Sequence, residues 1–101
     1  MKLIQPIDIH QNADAYFIVD IREPYEYEEA NIGSLHIPMA EVAERANELK
    51  TTKTIAVLCR SGKRAEAVAN LLTCDLGFEN VCIVEGGILA WKEQVDPNLP
   101  L

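Results

Sequence analysis

The chain lacks what small secreted or metal-stapled proteins rely on. It has three cysteines among 101 residues, an odd number with no Cys-x-x-Cys pair, which makes no disulfide framework. A zinc site needs more ligands at closer spacing than His10 and His36 offer to Cys59, Cys74 and Cys82, so no metal or other cofactor is expected. No apolar run approaches the roughly 20 residues needed to cross a bilayer. Pro6 and Asp8 interrupt the N-terminal MKLIQPIDIH before an apolar signal core forms, so no secretory leader is expected. Positive charge is scarce. Nine Lys and Arg face sixteen Asp and Glu, for a net charge of -7, which repels nucleic acid and anionic lipid on average. These absences point to reduced thiols in a cytoplasmic protein without a nucleic-acid or membrane partner.

What is present is an ordinary globular composition, 49% hydrophobic, sized for one domain over residues 1–101. Such a length folds around one core without staples. Short apolar runs alternate with longer amphipathic ones. Ala15 to Asp20 (AYFIVD), Thr54 to Cys59 (TIAVLC) and Asn80 to Gly86 (NVCIVEG) read as buried strands. Ser34 to Pro38 is a weaker fourth candidate, and Lys2 to Ile4 a short edge strand. Met39, Val42, Ala43, Ala46 and Leu49 recur at helical spacing. So do Ala65, Val68, Ala69, Leu72 and Leu76, with Gly77 placed where a helix ends. Pro24 to Ala30 suits one or two helical turns, and Ile88 to Val95 a last short helix. The expected fold is α/β: a parallel sheet of about five strands with helices on both faces. Ligands then sit at the carboxyl ends of the strands.

Cys59 falls at such an end, and Arg60, Ser61, Gly62, Lys63 and Arg64 follow it into a helix. Three effects act there in one direction. Main-chain N–H groups of residues 60 to 64 can curl around the sulfur, because Gly62 permits a tight turn. The helix N-terminus carries about half a positive charge. Arg60, Lys63 and Arg64 place three of the nine basic residues in this one stretch. All three effects favour the thiolate, which is the nucleophile. Cys74, in an amphipathic helix, and Cys82, in a strand, have no such loop and read as inert. Asp20 ends its strand on the same edge and is the first carboxylate expected to pair with Arg64 and brace the loop. Arg22 and Glu23 are expected to set the turn after it, Trp91 to pack the last helix, and His36 to be a packing residue.

Three segments carry a resemblance. DIREPYEY (Asp20 to Tyr27), CRSGKR (Cys59 to Arg64) and GGILAW (Gly86 to Trp91) resemble, in order, the opening, active-site and closing signatures of single-domain rhodaneses. The chain departs from the pattern at Glu29, Ala30 and Asn31, where many members carry Gly-His-Ile. The resemblance implies sulfur transfer through a persulfide on Cys59, from a donor such as thiosulfate or a persulfide to a thiol or cyanide acceptor. The loop would bind the sulfur. The alternative is a non-catalytic or carrier module of the same family, delivering sulfur between partner proteins. A cysteine phosphatase or arsenate reductase of related fold is the remaining alternative. Its loop is one residue longer than the four residues between Cys59 and Arg64, and the shorter loop makes a ring better sized for one sulfur than for a tetrahedral oxyanion.

Overall fold

Short runs of Val, Ile and Leu, too brief for helices and flanked by polar residues, build the sheet. In the computed structural model, which describes residues 2–101, the strands are β1 (Lys2–Ile4), β2 (Tyr16–Asp20), β3 (Leu35–His36), β4 (Thr54–Leu58) and β5 (Val81–Val84). All pair in parallel, in the order β1-β5-β4-β2-β3. The sheet is therefore the expected five-stranded parallel one, with β4 at its centre.

Alternation along β4 divides the core in two. Ile55 and Val57 face one side with Val19, Ile83 and the inner face of α3 (Lys63–Asn70), namely Ala65, Val68 and Ala69. Ala56 and Leu58 face the other side, with Ile9 of α1 (Pro6–Gln11) and Ile88 and Trp91 of α4 (Gly87–Gln94). Helices thus cover both faces, as parallel strands require. Helix α1 was not foreseen from the sequence; Pro6 at its start was the available signal.

Two expectations fail. Met39 to Leu49 is not a helix but two 3-10 turns, Met39–Glu41 and Ala46–Leu49. Only Val42 and Leu49 of its apolar positions are buried, while Met39 and Ala43 are exposed. Two anchors and small alanines give a face too thin to hold a continuous helix. The helical stretch from α3 does end before Gly77 (φ +74°) as expected, but after Asn70 it is a π turn, Leu71–Asp75, and Leu76 of the expected apolar face is exposed.

The segment after β2 is organised by one side chain. Arg22 is 2% exposed and Asp20 0%. Arg22 Nε donates to both Asp20 carboxylate oxygens at 3.0 and 3.1 Å, and Nη2 to Oδ2 at 2.7 Å. The remaining guanidinium donors reach the carbonyls of Glu26 at 3.3 Å and Ala30 at 2.7 Å, at the end of α2 (Pro24–Glu29). Arg22 therefore does more than shape a turn: it ties α2 to the sheet. Removing one partner of such a pair strands a buried charge. Arg22→Ala is expected to lower stability by about 3–5 kcal/mol, measured as a shift in the urea midpoint at unchanged slope; a loss within experimental error would show that the pair organises nothing.

Candidate active site

The site forms where β4 hands over to α3. Cys59 is the first residue beyond β4, and Gly62 turns the chain with φ +112°, a conformation that a side chain would strain. That turn brings the start of α3 back over the sulfur. Cys59 Sγ accepts a hydrogen bond from the Gly62 N–H at 3.0 Å and another from the Ala65 N–H at 3.3 Å. The Ala65 N–H lies in the first turn of α3, where no helical carbonyl is available to it. The main-chain N–H groups of Arg60, Ser61, Lys63 and Arg64 find no acceptor among the described residues. Cys59 itself is 1% exposed and packs with Val57 and Ala65 in the core. The sulfur is thus recessed in apolar surroundings and accepts two main-chain hydrogen bonds.

The cations divide into two kinds. Arg60 and Lys63 are exposed and form no ion pair among the described residues. Arg64 is bound in place. Its Nη1 and Nη2 donate to Glu26 Oε1 at 2.7 Å and Oε2 at 3.0 Å. The partner of Arg64 is therefore Glu26, and the expectation of Asp20 is corrected: the Asp20 carboxylate is taken up by Arg22. Asp20 supports the loop only at second hand, through Arg22 and α2. Glu26 also accepts from the Glu23 N–H at 2.9 Å, closing the start of α2. Its hydrogen bonds with Arg64 hold its carboxyl down at about 2, against the opposing effect of burial. The signal for this pair was present: Pro24 starts α2, and Glu26 then points from its first turn.

The remaining polar candidates are engaged elsewhere. His36 Nε2 lies 2.7 Å from the Arg22 carbonyl, so that nitrogen donates, and its ring stacks on Tyr27 at 4.4 Å. Trp91 is 6% exposed, within the core under α4. Cys82 is buried, which pushes its thiol up to about 11, and Cys74 is exposed on the π turn. Among the described residues no three His, Cys, Asp or Glu side chains gather as metal ligands, and no helix is long and apolar enough to cross a membrane. Surface clefts around His10 and Trp91, one of about 270 Å³, share no residue with the loop.

Similarity to known proteins converges on one family and fold. A family model described as a rhodanese-like domain matches residues 5–94. The chain is 44% identical over 80 residues to YrkF of Bacillus subtilis, which carries the provisional name of a sulfur carrier protein. That match takes in 78% of this chain and 43% of YrkF, so the chain spans less than half of that relative. It is 35% identical over 83 residues to YtwF of the same organism, provisionally named a sulfurtransferase, covering 81% of this chain and 79% of YtwF. The crystal structure of a rhodanese-related protein from Thermoplasma volcanium superposes with a TM-score of 0.84 at 36% identity, over 94% of each chain.

The Glu26–Arg64 pair has a pH signature. A carboxyl lowered on folding stabilises the protein above its unfolded value, near 4.3, and that contribution is lost as the pH falls through about 2. Glu26→Gln is expected to lower stability at pH 7 by on the order of 1–3 kcal/mol. The gap to the unmodified protein should close between about pH 5 and 2. A gap that stays constant over this range would assign the effect to packing instead.

Proposed function

The chain belongs to the rhodanese-like family, and from that premise we propose that it transfers a sulfane sulfur through a persulfide on Cys59. The observation that carries this reading is the pair of N–H groups, from Gly62 and Ala65, aimed at the sulfur of a recessed cysteine. The Cys59 thiolate attacks the outer sulfur of thiosulfate. A sulfur–sulfur bond to Cys59 forms as the bond to the sulfite sulfur breaks, and its electron pair departs with sulfite. The terminal sulfur then carries the negative charge, and no proton is needed. The unengaged amides of Arg60, Ser61, Lys63 and Arg64 serve as its donors. An acceptor thiolate or cyanide attacks that sulfur, the bond to Cys59 breaks, and the Cys59 thiolate is restored. Two half-reactions of this kind give ping-pong kinetics.

The side chains take separate parts. Arg60 and Lys63, exposed and unpaired, draw an anionic donor toward an otherwise acidic protein. Arg64, held by Glu26, braces the start of α3. Gly62 makes the turn that aims its own amide. No side-chain acid is needed, because sulfite and thiolates leave as stable anions.

A carrier role uses the same chemistry with a protein as donor or acceptor. The likeness to YrkF favours it. Mass spectrometry after thiosulfate treatment is expected to show a gain of about 32 Da, reversed by a thiol, as for a persulfide. Cys59→Ser should show no gain; sulfur uptake by that variant would sink the assignment. Repeated thiocyanate formation from thiosulfate and cyanide marks an enzyme, and a single stoichiometric transfer marks a carrier. Hydrolysis of an aryl phosphate is expected to be undetectable, and Cys59-dependent phosphate release would restore the phosphatase alternative.

A further inference from the structure

The two peptide units that open the loop are held from behind. The Ile88 N–H donates to the Cys59 carbonyl at 2.8 Å, and the Leu89 N–H to the Arg60 carbonyl at 3.3 Å. Both donors lie in the first turn of α4, where N–H groups have no partner inside the helix. A trans peptide unit is planar, with its C=O and N–H pointing in opposite directions, and no peptide bond of the described residues is cis. Fixing the Cys59 carbonyl on α4 therefore turns the Arg60 N–H away from that helix. Fixing the Arg60 carbonyl turns the Ser61 N–H away in the same manner. These are two of the amides that find no acceptor.

Only a glycine at position 87 allows the approach. A Cβ there would lie 2.3 Å from the Arg60 carbonyl oxygen and 2.5 Å from that of Cys59, main-chain atoms that cannot swing aside. Its φ of +61° adds strain for any side chain. Retreat of α4 is also blocked. The Glu85 N–H donates to the Ile4 carbonyl at 2.9 Å, and the Gln5 side-chain amide reaches the Glu85 carboxylate. Gln94 Nε2 donates to Gln5 Oε1 at 2.7 Å, so Glu85, two residues before α4, and Gln94, its last residue, are both tied to the residues just before α1.

We propose that Gly87 is a positioning residue for the sulfur site: it lets the first turn of α4 seat on the loop carbonyls and so aims the Arg60 and Ser61 amides at the terminal sulfur. This rests on the persulfide reading and assigns the closing glycine signature a part in the chemistry. The test uses a Cys74→Ser background, which removes the exposed thiol. Gly87→Ala introduces the clash. Leu89→Pro, at an exposed position in the first turn of α4, deletes the N–H that meets the Arg60 carbonyl and sets a ring against that carbonyl in its place. Gly33→Ala, at φ +77° with open space around it, carries the strain of a left-handed alanine without a clash.

In folded Gly87→Ala and Leu89→Pro, sulfuration by thiosulfate is expected to fall about 100-fold, with alkylation of Cys59 by neutral iodoacetamide changed less than about threefold. Gly33→Ala should change neither rate. In the persulfidated protein before substitution at these positions, the Arg60 and Ser61 amide proton resonances should move downfield by NMR. A folded Leu89→Pro variant with the original thiosulfate rate overturns the proposal, and so do unmoved Arg60 and Ser61 resonances. Both readouts stand even if Gly87→Ala fails to fold. Failure of the background protein to take up sulfur from thiosulfate and from a thiol persulfide alike, with normal alkylation, refutes the persulfide reading. In that case an unchanged preference for iodoacetate over iodoacetamide in the two variants overturns the positioning role separately.

Discussion

The buried pair of Asp20 and Arg22 is the constraint from which the site's geometry descends. A charge pair taken out of water gives little net stability, because desolvation offsets attraction. What it supplies is direction. The planar guanidinium makes several hydrogen bonds in a fixed fork, so it holds the end of β2 and the carbonyls of Glu26 and Ala30 in one relation. That relation sets where α2 stands. Helix α2 in turn presents the Glu26 carboxylate to Arg64, and Arg64 opens the helix whose amide meets the sulfur. Most links in this chain are local hydrogen bonds; the one between Glu26 and Arg64 joins residues 38 apart in sequence.

Two electrostatic influences act on Cys59, and they differ in reach. Arg60 and Lys63 are exposed, so water and salt screen them beyond a Debye length of roughly 8–10 Å. They affect how an anion arrives. The Gly62 and Ala65 amides act at 3.0 and 3.3 Å within an apolar, water-poor setting, where a fixed dipole counts for more. They affect what the sulfur can become. A site built from main-chain donors also carries no proton of its own to give, which suits reactants that enter and leave as anions.

How much of this was legible in the sequence depends on the range of the interaction. The strands around Phe17, Val57 and Ile83 were readable because a local run of apolar residues suffices to mark a strand buried on both faces. The turn at Gly62 and the loop after Cys59 were readable for the same local reason. Met39 to Leu49 misled, since alanine satisfies a helical period without supplying much surface to bury. The partner of Arg64 misled differently. Asp20 and Glu26 lie six residues apart at the end of β2 and in α2, and choosing between them required knowing that Arg22 already holds Asp20. The seating of α4 on the Cys59 and Arg60 carbonyls joins residues far apart in the chain, and no local pattern carries it.

Glu26 serves two structures with one carboxylate: it closes the first turn of α2 through the Glu23 N–H, and it holds Arg64 across the edge of the sheet. The six residues from Cys59 to Arg64 are consequently not a portable module. Transplanted into another α/β host, they would arrive without the acid that fixes their arginine and without the glycine that admits the supporting helix. An engineer moving this chemistry would have to carry three separated pieces of chain together, and heredity faces the same bargain.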